Sequence, residues 1–257
     1  KVRAKGTDTA THDLLFTLRA HGFDERSVDG VGVPRPLGVV PKFRMWLQQK
    51  TSGISSAELL PSGDGVALAR RIAEAAHKIH VLNLAPRREH TMAGELRILH
   101  ERLGLLAQQR REWKTRLERV LEGCERIAAG VPTTEPRPIH RDFYPAQVLV
   151  DGGRLWLLDF DLFCLGDPAV DVGNFVGHIT EQSVRSTGNP RALAEVEAAL
   201  AERFVELSGP ASRAAVEVCT TLTLVRHVHI STLFPERQPF TERLLEYCEE
   251  RLSGSQT

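Results

Sequence analysis

No apolar stretch in the 257 residues approaches the roughly 20 that a membrane helix needs, and no leader-like segment opens the chain. The expectation is a soluble, unexported, cytoplasmic protein with no membrane partner. Cysteine is scarce. Its four copies, Cys124, Cys164, Cys219 and Cys248, lie far apart and form no C-x-x-C pair, which removes the common zinc and dithiol motifs and predicts reduced, buried thiols. Neither sign of charge dominates: 33 Lys plus Arg balance 33 Asp plus Glu, so no overall basic field points to nucleic acid. Internal repeats and low-complexity tracts are lacking as well. Histidine is more abundant, but His227 and His229, two apart on a helical pattern, point to different faces and do not suggest a shared metal. With 42% hydrophobic and 26% charged residues, the chain can bury a real core as one domain or a two-lobed unit.

What the chain does have is concentrated between His140 and Asp171. An apolar run from Val148 to Val150, the turn Asp151-Gly152-Gly153 and a second run from Leu155 to Leu158 predict a β-hairpin. Carboxylates sit at its feet: Asp142 precedes the first strand, and Asp159 and Asp161 end the second. Folding the hairpin brings Asp142 and Asp159 together. Neighbouring carboxylates repel, and keeping both ionised near neutral pH usually needs a cation or a basic neighbour, which makes a divalent metal the first expectation.

The order of these residues is specific. His140-Arg141-Asp142 with Gln147, then Leu158-Asp159-Phe160-Asp161, then Gly166-Asp167-Pro168 with Asp171 resembles the catalytic loop and metal-binding turn of protein-kinase-like phosphotransferases. The match is best to the aminoglycoside phosphotransferase and choline kinase-like family. That resemblance implies an α+β, two-lobed fold: a reduced N-terminal β lobe for the nucleotide over residues 1–53, and a mainly helical C-terminal lobe over 54–257 holding the catalytic loop and acceptor site. It implies an ATP- or GTP-dependent kinase of a small molecule's hydroxyl group, with Asp142 as catalytic base and Mg²⁺ on Asp159 and Gln147. Gln147 stands where the family usually has Asn and offers the same amide oxygen on a longer stem. Asp171 would hydrogen-bond the His140-Arg141 backbone, Asp167 would cap the helix that follows it, and Asp161 would bond nearby backbone. His140 would make a core hydrogen bond, and Arg141 would screen Asp142.

For the nucleotide, the resemblance points to Lys1, with Lys5 as alternative, gripping the phosphates and held by Asp13, and to Gln48, Gln49 and Lys50 as the hinge beside adenine. Two features depart from the family. Asp13 is shorter than the usual glutamate, and no glycine-rich strand-loop-strand stands ahead of Lys1. A catalytically silent kinase-like module that binds a nucleotide, metabolite or partner is therefore the alternative reading.

The remainder reads as scaffold. Thr9 or Thr11 starts a helix carrying Leu14, Leu15 and Leu18; Phe43 to Gln49 predicts a strand; and Ile54 to Ser62 shows little pattern. Helical spacing then recurs through Leu68 to Ile79, Leu96 to Leu106, Trp113 to Ile127, Val172 to Ile179, and roughly 190–207, 212–233 and 241–252. His77 and His80 are expected to be structural. Glu242, Glu246, Glu249 and Glu250 alternate with Arg243 and Arg251 and predict a solvated face. Aminoglycosides, choline-like amines, sugars and amino alcohols all remain open as acceptors.

Overall fold

The computed structural model describes residues 9–254, so Lys1 and Lys5 lie outside the described residues. In chain order the elements are α1 (Ala10–Ala20), β1 (Val31–Gly32), β2 (Pro36–Val40), β3 (Met45–Gln48), β4 (Ile54–Ser55), α2 (Ser56–Leu59), α3 (Gly65–His80), α4 (Met92–Gln109) and α5 (Lys114–Ala129). They continue with β5 (Arg137–Ile139), β6 (Val148–Asp151), β7 (Arg154–Leu157), β8 (Cys164–Gly166), α6 (Ala169–Thr187), α7 (Ala194–Ser208), α8 (Ser212–Thr232) and α9 (Thr241–Gly254).

The central hairpin is β6 and β7. Val148 pairs with Leu157, Val150 with Leu155 and Asp151 with Arg154, and Gly152 supplies the left-handed turn residue at φ 57°. β1 adds in parallel beside β7 and β4 antiparallel beside β6, giving the order β1-β7-β6-β4. The hairpin thus gathers chain from both sides of residue 53. β2 pairs with β3, and β5 with β8, in separate two-stranded sheets.

Two local expectations change. β3 begins at Met45 rather than Phe43, because Pro41–Phe43 closes a single 3₁₀ turn and Arg44 reverses the chain at φ 51°. The segment from Ile54, featureless by pattern, forms β4 and one helical turn. The Ser55 hydroxyl caps that turn by accepting the Ala57 N–H, and the Ser56 hydroxyl donates to the Pro145 carbonyl at 2.8 Å.

The apolar side chains divide into two buried clusters. One joins the hairpin to α3, α6 and α7, and the other lies among α4, α5, α8 and α9. α6 is buried on nearly every face, as expected of a helix surrounded by others. Its approach to α8 depends on glycine: a Cβ on Gly173 would lie 2.4 Å from the Cys219 Cβ, and one on Gly177 would lie 2.7 Å from the Thr223 Cγ2. The acids of α9 do not face an open cleft. Glu249 accepts both Nε and Nη2 of Arg116 on α5, at 2.9 and 2.7 Å, and Glu250 takes Arg243 at 3.0 Å. The four cysteines are unpaired and buried. Among the described residues no helix is long and apolar enough to cross a membrane.

Because Gly173 has backbone and a Cβ against it, Gly173→Ala is expected to lower unfolding free energy by about 1–3 kcal/mol. Gly104, inside α4 with nothing within 4 Å of an added Cβ, should show the opposite sign on Gly104→Ala, by up to about 1 kcal/mol. Denaturant unfolding of both variants checks the pair; equal stability of the Gly173 variant and the parent would contradict the close α6–α8 approach.

Candidate active site

The loop that carries Asp142 hangs from one buried carboxylate. Asp171, in the first turn of α6 and 0% exposed, accepts the Arg141 N–H on Oδ1 at 2.7 Å and the His140 N–H on Oδ2 at 2.8 Å. A third donor is His80 Nε2 at the end of α3, 2.9 Å from Oδ2. These bonds hold Arg141 in a left-handed conformation at φ 69°, an arrangement that costs a non-glycine residue of order 1–3 kcal/mol. His140 reaches the other way: its Nε2 donates to the Leu158 carbonyl at 2.7 Å while its ring packs 4.5 Å from that of Phe160. The loop before the hairpin is thereby tied to the turn after it. Asp159, in that turn, is also left-handed at φ 61°.

Asp142 and Asp159 are close enough to feel each other's charge. Burial pushes the Asp142 carboxyl above the usual carboxylate range, and Asp159 adds to the rise, while His140, Arg226 and Arg141 pull it back. Gln147 is linked to them through Tyr144, whose hydroxyl pKa is pushed up by burial and further by Asp142 and Asp159. Its backbone is anchored by the Leu158 N–H, 2.9 Å from the Gln147 carbonyl, and its Nε2 donates to the Tyr144 hydroxyl at 3.2 Å. That orientation leaves the amide oxygen without a partner among the described residues. An ionisable carboxylate and an unpartnered amide oxygen are hard donors that suit Mg²⁺, so the residues present fit that ion. Asp167 accepts the Ala169 N–H at 2.8 Å, capping α6, and the Thr134 hydroxyl at 2.8 Å. The Asp161 carboxylate accepts the Thr11 hydroxyl of α1 at 3.0 Å, and its backbone carbonyl takes Arg88 at 2.7 Å.

Several residues here carried no signal in the sequence. Asn174, one turn beyond Asp171 on α6, donates to the Phe143 carbonyl at 2.8 Å and accepts from Arg226 of α8. Arg226 also meets Glu95 of α4 at 3.0 Å, and Glu95 meets His90 at 2.6 Å and Arg141 at 3.8 Å. Burial alone would raise the Glu95 carboxyl, but the His90 hydrogen bond and the two guanidiniums outweigh it and hold the group at about 2. On the other side of Asp142, Tyr144 stacks on His178 at 4.5 Å and 19°, and His178 Nε2 faces His227 Nε2 at 3.2 Å. Burial keeps both imidazoles neutral, His227 down to about 3 and His178 well below its ordinary value. Two neutral rings form such a contact with one donating and one accepting. A cleft of about 570 Å³ opens beside Asp142, walled by α4, α6, α8 and the connection before α9.

The residues expected on the nucleotide side are spread more widely. Gln48 ends β3 opposite Pro36, and the Gln49 N–H donates to the Arg35 carbonyl at 2.8 Å, so this amide is already used by the β2–β3 ladder. Gln49 and Lys50 line a small hollow of about 90 Å³ with Trp156. Asp13 is 69% exposed on α1 and meets His12 Nδ1 at 3.0 Å; its expected partner Lys1 lies outside the described residues.

The model of a phosphotransferase enzyme family matches residues 10–215 of the chain. No curated protein sequence matches it. Among solved structures, a choline/ethanolamine kinase family protein from Mesorhizobium loti superposes with a TM-score of 0.64 at 15% identity, over 91% of this chain and 77% of the other. The choline kinase LicA from Streptococcus pneumoniae gives 0.63 at 16% identity, over 99% and 85%. A glucosamine kinase in complex with glucosamine, ADP and inorganic phosphate gives 0.62 at 14% identity, over 98% and 75%. Identities this low speak to the fold, which is α+β and protein-kinase-like, with a small sheet region and a mainly helical remainder. With four-fifths of its length matched by the family model, the chain belongs to the phosphotransferase enzyme family of aminoglycoside phosphotransferase and choline kinase-like proteins.

Proposed function

We propose that this protein is a small-molecule kinase that transfers the γ-phosphoryl group of ATP or GTP to an acceptor hydroxyl, with Asp142 as the proton acceptor. The observation that carries the reading is the position of Asp142. Its carboxylate lies between the Asp159 turn and an open cleft, on a loop whose backbone is clamped by Asp171. An acceptor entering the cleft meets a carboxylate whose raised pKa makes it a better base than a solvated aspartate, and a rigid loop keeps that base in place. The relative crystallised with glucosamine, ADP and inorganic phosphate supports nucleotide use by this fold.

In this reading Asp159 and the Gln147 amide oxygen hold Mg²⁺, which neutralises charge on the nucleotide phosphates when bound. Lys1 and Asp13 serve the phosphates, and the segment Gln48 to Lys50 the adenine, within a nucleotide lobe over residues 1–53 and an acceptor lobe over 54–257. Since the Gln49 N–H is taken by Arg35, an adenine there would be read by other backbone groups of the segment. His140, Arg141, Asp161, Asp167 and Asp171 position the reacting groups without touching them.

Asp142→Asn is expected to lower kcat by roughly 10²- to 10⁴-fold. Its melting temperature should be unchanged or higher, because burial and Asp159 both oppose the charge that is removed. Full turnover in the variant, or a parent protein that phosphorylates no hydroxyl compound, would sink the proposal. Asp142 accepts a proton only when ionised, so kcat/KM should fall as pH drops through its raised pKa. The acid limb should therefore lie above the roughly 3.9 of an unperturbed aspartate. MgATP should raise the melting temperature of the parent by mass action, with the shift abolished in Asp159→Asn and weakened in Gln147→Ala. An unaltered shift in both variants would remove them from the metal site.

A further inference from the structure

We infer that the acceptor carries an anionic group, a carboxylate or a phosphate, close to the hydroxyl that is phosphorylated. The inference rests on the kinase reading of the cleft and adds the class of its substrate.

The cleft beside Asp142 is lined by five arginines, Arg102, Arg141, Arg185, Arg226 and Arg237, against three carboxylates, Glu101, Asp142 and Glu181, an excess of two positive charges (5 − 3). Asp142 is reserved for the hydroxyl proton. Glu181, buried in α6, is shared between Arg185 at 3.3 Å and Arg237 at 3.9 Å. Glu95, buried just behind the wall, is likewise shared between Arg226 at 3.0 Å and Arg141 at 3.8 Å. Counting Glu95 still leaves one positive charge in excess. Two carboxylates cannot engage all the donors of four guanidiniums, each of which presents five N–H groups in a planar fork. Arg102, exposed on α4, has no ion pair among the described residues. Glu101, its neighbour, is the acid at the rim. The histidines are neutral and do not add to the charge, but His227 Nδ1 is buried without a partner among the described residues.

Guanidinium groups of this kind match carboxylate and phosphate oxygens bidentately, and a cationic cleft with apolar walls concentrates anions. The same walls are poor for a cation. An ammonium ligand needs acids without competing arginines, and a quaternary ammonium needs open aromatic faces. Here Arg237 already occupies one face of the Phe234 ring, 4.9 Å from its centroid, and His178 one face of Tyr144. The carboxylates of α9 are occupied by Arg116 and Arg243.

Calorimetric titration of the intact protein with glycerate, glycerol 3-phosphate, glycerol, choline and kanamycin tests the inference. Glycerate or glycerol 3-phosphate should bind, and which of the two does so separates a carboxylate from a phosphate site. Glycerol, choline and kanamycin should not bind. Arg237→Gln and Arg102→Gln, both on solvent-reaching positions, should each weaken anion binding about 10-fold, with Arg237→Lys recovering part of the loss. Unchanged melting curves would show that the variants fold. Binding of choline or kanamycin in place of the anions would overturn the inference. So would binding of neither anion, or anion binding indifferent to both substitutions. The kinase reading is judged separately by the MgATP shift and by Asp142→Asn, and it survives if the acceptor proves to be an amine.

Discussion

A carboxylate with no solvent exposure holds the candidate site together. Asp171 lies near the positive end of the α6 dipole and accepts three N–H donors, two from the loop 30 and 31 residues before it and one from His80 at the end of α3. A buried carboxylate is tolerated only when its oxygens are satisfied, so the position of α6 and the path of the loop fix each other. The left-handed turn at Arg141 follows from that mutual constraint. So does the aim of Asp142, the next residue along.

The second constraint is the α6–α8 contact. Gly173 and Gly177 let the helices approach within van der Waals distance of each other's backbone, which brings Asn174 of α6 to Arg226 of α8. Through Asn174 and Glu95, Arg226 is fixed relative to both the loop that carries Asp142 and α4. The charge near Asp142 is therefore set by helix packing as much as by the loop itself. Burial and Asp159 raise its carboxyl while the arginines lower it, and that balance leaves a basic cleft on one side and oxygen donors on the other.

The hairpin and the long helices were legible in the sequence because each has its own period and punctuation. Val148, Val150, Leu155 and Leu157 repeat at two around Gly152-Gly153, and the apolar residues of α3 to α9 repeat near 3.6. The resemblance carried by His140-Arg141-Asp142, Asp159 and Gly166-Asp167-Pro168 reached further, naming a family that matches residues 10–215. Strands as short as β1 and β4, two residues each, left no pattern to read; pairing with the hairpin makes them strands.

By itself, then, the sequence determined the local elements and the ordered set of carboxylates, since both depend on residues a few positions apart. Only the tertiary structure decided what surrounds those carboxylates. Glu95, Asn174 and Arg226 lie up to 131 residues apart, and each reads locally as an ordinary helix residue. In the same way Arg102, Arg185 and Arg237 read as solvated charges on separate segments. Burying the apolar faces of α4, α6 and α8 turns Arg102 of α4 and Arg185 of α6 toward a common cleft, and the connection before α9 adds Arg237 to the same wall.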